Sequence, residues 1–295
     1  MPTKKVKIGI AMGGGGAKGA AHIGVLKVFE KYNISIDSIV GSSAGAIIGA
    51  SYALGLTADQ IFQQSVKFSK IKLFRLGNVH LFSESLIKSK DIKNAIHDLV
   101  GEHTFDDLKI PFQAVAVDLE SGKEVLLRSG KLWEVLRASS AIPGIFSPYF
   151  LNEKYLVDGG LLNSVPVNHL REQKDLDIII GIQLGGLTSK QYISGIVRER
   201  YYRKILKNTL NYFKILKINS TLMFHILLRS IDILRDEVQN YRYQMARPDI
   251  IIVPEIGHIS FLEMEHYQEA MKEGEKAAEK IMPQLLKLIK QKQCL

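Results

Sequence analysis

The sequence predicts an α/β fold with a parallel sheet, and this prediction rests on the order of elements in the first 55 residues. The mostly apolar segment Val6–Met12 is typical of a buried strand, and a glycine-rich loop and an amphipathic helix follow it. A second apolar segment, Ile39–Val40, leads into a G-x-S-x-G sequence and another helical pattern. This β-α-β-α order implies parallel strands with right-handed crossovers and helices on the sheet faces. Functional residues are therefore expected at the carboxyl ends of the strands.

Length and composition indicate one large globular domain over residues 1–295, because 46% of the residues are hydrophobic and 23% are charged. The single cysteine, Cys294, excludes a disulfide framework and indicates a reducing compartment. The chain starts without an apolar signal region, so we expect a cytoplasmic protein. Its longest nearly uncharged runs fall short of the roughly 20 apolar residues that a membrane span needs. Any membrane contact is therefore expected at the surface.

Further apolar segments extend the predicted sheet beyond the first two strands. Each is bounded by turn residues, as strands usually are. We expect a broken helical region between Thr57 and Asp107 and C-terminal helices at about 260–290. The predicted strands are Phe112–Leu119, Val125–Arg128, Tyr155–Val157, Ile178–Leu184 and Asp249–Val253.

The positive charge is concentrated in one part of the chain. The net charge is +9, and residues 190–218 contain eight Lys or Arg but only one acidic residue. Together with the helical pattern, this predicts a basic helical insertion at about 190–247, at the edge of the sheet. Peripheral contact of 190–218 with an anionic membrane is one interpretation, since cations alternate there with aromatic and aliphatic residues. A solvated arm or a self-association surface is the other, and the oligomeric state stays open. No nucleic-acid partner is expected, because no recognition motif accompanies the charge.

The sequence Gly41-Ser42-Ser43-Ala44-Gly45 is typical of a nucleophile elbow. Its middle serine lies at a sharp turn from a strand to a helix, and Gly41 and Gly45 let the backbone turn tightly. The N-terminus of the following helix directs its N–H groups toward the serine. Ser43 is therefore the candidate nucleophile.

The glycine loop Gly13–Gly19 has three interpretations. It satisfies a G-x-G-x-x-G dinucleotide fingerprint, but the acid that would bind the ribose, Asp37, begins the second strand instead of ending it. A phosphate-binding Walker A loop is excluded because Lys18 follows Ala17 and precedes Gly19. An oxyanion hole remains, in which amides at a helix N-terminus bind the developing negative charge.

The base is Asp158 or a histidine. Asp158 ends a predicted strand, and Gly159 and Gly160 after it permit close approach of another backbone. An ordinary turn aspartate is the alternative. Of the eight histidines, His169 alone merits a test, being eleven residues past Asp158.

Taken together, the glycine loop, the elbow and the Asp158-Gly159-Gly160 turn resemble the patatin-like phospholipase family. The resemblance covers about residues 6–185 and resumes from Arg247. It implies the family's α/β/α sandwich, a three-layer fold with a mostly parallel central sheet. It also implies that Ser43 and Asp158 form a catalytic dyad without histidine, and that Gly14, Gly15, Gly16 and Lys18 form the oxyanion loop.

The function expected from the resemblance is that of a serine acyl hydrolase. It would cleave ester-linked fatty acyl chains of phospholipids or lysophospholipids through an acyl-serine intermediate. A carboxylate base predicts turnover below pH 6, unless burial raises the pKa of the aspartate strongly. The alternatives are a lipid- or partner-binding protein with little turnover and a nucleotide-binding α/β protein. We expect no metal and no cofactor.

Overall fold

A mixed sheet forms the centre of the fold in the computed structural model, which describes residues 4–70, 89–185, 220–259 and 263–294. Over these residues the sheet has the order β5-β6-β3-β2-β1-β7-β8, and β4 pairs with β3. The strands are β1 (Ile8–Met12), β2 (Ser38–Ser42), β3 (Phe112–Asp118), β4 (Glu124–Leu127), β5 (Tyr149–Leu151), β6 (Lys154–Asp158), β7 (Ile178–Ile182) and β8 (Ile250–Ile252).

The parallel part consists of β3, β2, β1, β7 and β8. Every residue of β1 and β7 is buried, which explains why their sequences are continuously apolar instead of alternating. β1 has β2 on one side and β7 on the other, so the strand order reverses at β1. Ligands of open α/β sheets bind at such a reversal, beyond the carboxyl ends of the strands.

Helices cover both faces of the sheet and make the predicted three layers. The larger core joins alternate residues of β1, such as Ile10, to α1, α3, α5 and α8. The smaller core on the other face joins Ala11 and Val40 to α6, with Tyr243 of α7 packed against it. The helices are α1 (Ala20–Lys31), α2 (Ala44–Ala53), α3 (Ala58–Lys70), α4 (Ser89–Val100), α5 (Leu132–Ser139), α6 (Val167–Arg171), α7 (Ser220–Met245) and α8 (Tyr267–Gln293).

Helices α1 and α8 cross with almost no space between their backbones. A Cβ atom at Gly24 of α1 would lie 2.0 Å from the carbonyl oxygen of Met271, and one at Gly274 of α8 would lie 2.0 Å from that of Ala21. The two glycines therefore let the helices approach until backbone meets backbone. Helix α8 also contacts the short 3₁₀ helix Gly16–Gly19, which is part of the glycine loop.

The α/β class and most strand positions agree with the sequence, but several elements differ. β4, β5 and β6 run antiparallel to their partners, and neither β5 nor α6 is expected from the apolar pattern. The C-terminal region contains one long helix, α8, after a 3₁₀ turn, whereas two helices are expected. Helix α8 continues through Pro283, where residues on both sides of the proline, Met282 and Leu285, are buried in the core.

Part of the predicted basic insertion lies outside the described residues, including the whole of 190–218, so the membrane hypothesis for that segment stays a prediction. Its last portion, Ser220–Met245, is α7. In the portion of the chain that is described, every helix is too short or too polar to cross a bilayer.

The crossing of α1 and α8 predicts a stability difference between two glycine substitutions. Gly274→Ala should lower the free energy of unfolding by about 2–3 kcal/mol, because its Cβ meets backbone that cannot rotate away. Gly257→Ala is the matched control, since its Cβ meets nothing within 4 Å, and it should change stability by less than about 0.5 kcal/mol. Urea denaturation of both variants measures the difference, and equal stabilities would contradict the packing argument.

Candidate functional site

Ser43 lies in a strained turn between β2 and α2. Its φ of 52° and ψ of −122° are unusual for a residue with a side chain. The Ser43 N–H donates to the hydroxyl of Ser139 over 3.1 Å, and that hydroxyl donates to the carbonyl of Val115 over 2.7 Å. The elbow is thereby tied to β3, and the Ser43 side chain is held at the carboxyl edge of the sheet, where 3% of the residue is exposed.

Small residues around the elbow let α2 begin directly against β1. A Cβ at Gly45 would lie 2.2 Å from the carbonyl oxygen of Met12, and one at Gly41 would lie 2.6 Å from the amide nitrogen of Ala46. Any larger residue at either position would push the helix away from the strand. The predicted supporting role of both glycines matches this lack of space.

The sheet register explains why Asp158 is near Ser43. β2 pairs with β3 up to Ser42 opposite Val115, and β6 pairs with Asp158 opposite Ala116. β4 pairs with one edge of β3. β2 and β6 pair with the opposite edge, where β6 begins at the residue after the end of the β2 pairing. Asp158 was expected at the end of a parallel strand, but β6 is antiparallel, and the register alone brings the residue to the site.

The Asp158 carboxylate is buried and accepts hydrogen bonds from both neighbours in the site. The Ser43 hydroxyl donates to it, and the Gly160 N–H donates to Oδ1 over 2.7 Å. Gly159 packs so tightly that its Cβ would lie 2.1 Å from the Val115 carbonyl oxygen. Burial raises the pKa of Asp158 above its ordinary value, while Arg235 and these two hydrogen bonds oppose the rise.

Arg235 of α7 is a member of the site that the sequence patterns do not single out. Its Nε donates to the carbonyl of Gly160 over 2.9 Å, and its Nη2 donates to the hydroxyl of Ser164 over 3.2 Å. Nη2 also lies 3.2 Å from the position that a Gly14 Cβ would occupy, as does the Ser43 Cβ. Nothing in its sequence context separates Arg235 from the other arginines of the basic segment.

The glycine loop follows β1 and packs against the elbow. The Gly14 N–H already donates to the carbonyl of Ser164 over 3.1 Å. The amides of Gly15 and Gly16 make no hydrogen bond to any residue in the described ranges. Gly16 has a φ of +57°, which glycine adopts without strain, and begins the short 3₁₀ helix that contains the buried Lys18. Of the three predicted amides, those of Gly15 and Gly16 have the capacity to bind an anion.

His22, in the first turn of α1, supports the glycine loop through a hydrogen bond. Its Nε2–H donates to the carbonyl oxygen of Gly13 over 2.7 Å, and the ring is fully buried. Burial lowers the pKa of His22 to about 4, although the hydrogen bond to Gly13 opposes the shift. The imidazole is therefore neutral at physiological pH. The sequence shows that His22 lies just after the glycine loop, but it does not show that the side chain is buried.

An apolar cavity of about 90 Å³ opens beside the glycine loop and the start of α2. Its walls are mainly aliphatic and aromatic side chains from α2, α4 and α8, with Gly16 and Ala44 at the end nearest the elbow. The lining residues include Ile47, Ile48, Leu99 and Tyr267.

His169 and Asp37, the two other residues weighed as functional groups, have partners away from the Ser43–Asp158 pair. His169 Nε2 forms a short hydrogen bond with Glu124, which also pairs with Arg242 over 2.7 Å. Burial opposes the charge on His169, but Glu124 holds the pKa of His169 above its ordinary value. Asp37 accepts from the N–H of Ile8 over 2.9 Å at the amino end of the sheet, which removes the ribose-binding acid from the nucleotide hypothesis.

No cluster of three or more His, Cys, Asp or Glu side chains suitable for a metal ion occurs among the residues that the structure describes.

The buried neutral His22 predicts a pH-dependent stability. The unfolded chain takes up a proton near pH 6.5 and the folded chain near pH 4, so stability is complete above pH 6.5 and falls as the pH drops toward 4. Between pH 7.5 and 4.5 the loss is about 2–3 kcal/mol. Urea denaturation of wild type and His22→Gln measures this, and the variant should lack that part of the decline. His97→Gln, at an exposed histidine, should decline as wild type does; a parallel decline in His22→Gln would contradict the assignment.

Comparison with known proteins places these features in a family. The patatin-like phospholipase family matches residues 10–171, which include the last three residues of β1, the glycine loop, the elbow and Asp158. An uncharacterised NTE family protein of Mycobacterium tuberculosis is 33% identical over 180 residues, covering 61% of this chain and 49% of its own length. Lysophospholipase NTE1 of Pyricularia oryzae is 29% identical over 187 residues, which is 61% of this chain and 12% of that protein.

A solved structure shares the fold of this chain. VipD from Legionella pneumophila superposes with a TM-score of 0.50 at 14% identity, over 97% of this chain and 67% of VipD. The chain spans about half the length of the mycobacterial relative that it matches. Because the family match covers more than half of the chain, this protein belongs to the patatin-like phospholipase family.

Proposed function

We propose that the protein is a serine acyl hydrolase that cleaves ester-linked fatty acyl chains of phospholipids or lysophospholipids. The observation that carries this proposal is the Ser43 hydroxyl at a strained elbow beside the buried Asp158 carboxylate, whose ionised form it stabilises, together with the Gly15 and Gly16 amides of the adjacent loop. A nucleophile within hydrogen-bond reach of a base is the arrangement that covalent catalysis requires. No histidine of the described residues takes part in this contact.

In the first step, Ser43 Oγ attacks the ester carbonyl carbon while its proton passes to Asp158. The carbonyl oxygen becomes an oxyanion, and we expect the Gly15 and Gly16 amides, which make no hydrogen bond in the described ranges, to bind it. The positive end of α2, which begins at Ala44, adds to this stabilisation. Removal of one such donor typically raises the activation free energy by about 3 kcal/mol.

The tetrahedral intermediate then collapses, and the bond from the carbonyl carbon to the alcohol oxygen breaks. Asp158 returns its proton to that oxygen, so the lyso-lipid or glycerol fragment leaves as a neutral alcohol and the acyl group stays on Ser43. Asp158, again ionised, takes a proton from water, and the resulting hydroxyl attacks the acyl-serine. The bond between the acyl carbon and Ser43 Oγ then breaks, Asp158 returns its proton to Oγ, and the fatty acid leaves.

Two observations support a lipid ester as the substrate. The cavity of about 90 Å³ beside Gly16 and Ala44 is lined by apolar side chains, which suit part of an acyl chain. The family carries the description patatin-like phospholipase, and one relative is named a lysophospholipase. A lipid-binding protein with little turnover is the alternative, and the labelling experiment below separates the two.

The proposed dyad predicts how the protein reacts with a fluorophosphonate probe. Wild type should be labelled at Ser43, Ser43→Ala should not be labelled, and Asp158→Asn should react at least about 100-fold more slowly because the base is missing. His169→Ala is the control and should keep the wild-type rate, since His169 is bonded to Glu124. Wild type that stays unlabelled would favour the binding protein over the enzyme. A panel of phospholipids and lysophospholipids then identifies the substrate.

The environment of Asp158 also predicts the pH profile of hydrolysis. The base must be ionised, so kcat/KM should fall as the pH drops through its pKa, and burial puts that pKa above the ordinary 3.8. Turnover below pH 6 therefore depends on how far burial outweighs the charge of Arg235. Measurement of kcat/KM for a soluble ester from pH 4 to 9 gives the value. An acid limb that His169→Ala abolishes would overturn the assignment of Asp158.

A further inference from the structure

Arg235 reaches the site from α7, a helix outside the three sequence motifs. Its guanidinium donates hydrogen bonds to the carbonyl of Gly160 and to the hydroxyl of Ser164, and its Nη2 lies 3.2 Å from the position that a Gly14 Cβ would occupy. Asp232, one turn earlier on α7, lies 3.4 Å from Nη1. The Arg235 side chain is 15% exposed, so solvent screens its charge only in part.

The same guanidinium lies near a buried carboxylate, since a Cβ atom at Gly160 would lie 2.9 Å from Asp158 Oδ1 and 3.0 Å from Arg235 Nη2. The hydrogen bonds to Asp158 come from Ser43 and from the Gly160 amide, which are neutral donors. Arg235 is the charged group that stabilises the ionised form of Asp158. Among the described residues, Lys18 on the glycine loop and Asp232 on α7 are further charged groups of this region. Burial of a charge that has only neutral hydrogen-bond donors is unfavourable in free energy. A nearby opposite charge reduces this unfavourable free energy.

We propose that Arg235 is a positioning residue of the hydrolytic site, which holds the Asp158–Gly160 turn and the loop at Ser164 beside Gly14 and keeps Asp158 ionised. The proposal rests on the proposed hydrolase function. It gives α7 a part in the active centre, although the helix follows the residues matched by the family. A purely structural arginine would hold the loops without changing the ionisation of Asp158.

Arg242 offers a matched comparison on the same helix. It too is largely buried, with 28% exposure, and its Nη2 pairs with the carboxylate of Glu124 over 2.7 Å. Its partner belongs to the Glu124–His169 cluster and not to the Ser43–Asp158 pair. Loss of Arg242 therefore removes a buried ion pair from α7 without changing the charge beside Asp158.

The experiment compares wild type, Arg235→Met, Arg235→Lys and Arg242→Met. The titration of the Asp158 carboxyl carbon is followed by ¹³C NMR, with Asp158→Asn used to assign the signal and circular dichroism used to check folding. Arg235→Met should raise the apparent pKa of Asp158 by about 1 unit or more, because it removes the adjacent positive charge. Arg235→Lys should restore most of that shift, and Arg242→Met should leave the pKa at its wild-type value.

The acid limb of fluorophosphonate labelling is the second readout. On that limb, labelling of Arg235→Met should be about tenfold slower than wild type for each unit of pKa shift, and the two rates should converge at higher pH. An unchanged Asp158 titration in a folded Arg235→Met would overturn the proposal, as would an equal shift in Arg242→Met. If wild type is not labelled but the NMR shift occurs, the hydrolase function fails and the electrostatic role of Arg235 stands.

Discussion

The buried carboxylate of Asp158 is the group on which the arrangement of the site depends. An ionised carboxylate removed from water requires hydrogen bonds and opposite charge, and here these come from three parts of the chain. The elbow supplies the Ser43 hydroxyl, the turn supplies the Gly160 amide, and α7 supplies Arg235. The β6 register fixes where all of them must meet. The fold around the site is therefore determined as much by the need to stabilise one charge as by the shape of a substrate.

Close backbone packing supplies the rigidity that this arrangement needs. The strained conformation of Ser43 persists because its amide is held by Ser139 and because α2 begins directly against β1. Strain of this kind costs of order 1–3 kcal/mol and is kept only where the surroundings determine the conformation. Hydrogen bonds hold the glycine loop in the same way. The Gly13 carbonyl accepts from His22, and the Gly14 N–H donates to the carbonyl of Ser164. The reacting groups thus stay in place before a substrate arrives, which lowers the reorganisation needed for catalysis.

Local patterns predict the α/β class, the first two strands and the elbow, because each depends on residues adjacent in sequence. The pairing direction of β6 is not predicted, since a short apolar strand carries no record of its partner. The same limit applies to Gly14, whose amide looks available in the sequence but is used by Ser164 in the fold. Arg235 is missed for a related reason: 75 residues separate it from Gly160, and only tertiary packing brings the two together. Site residues within a motif were therefore predictable, and those that act across the fold were not.

The crossing of α1 and α8 has a consequence for how the protein is made. α1 follows the glycine loop directly, while α8 leaves the ribosome on the order of tens of seconds later. Until α8 is synthesised, the Gly24 face of α1 and the 3₁₀ helix of the loop lack the surface that they pack against. A nascent chain thus carries the serine and the loop before α8 is present to support them. The site can therefore reach its full packing only after α8 has been synthesised.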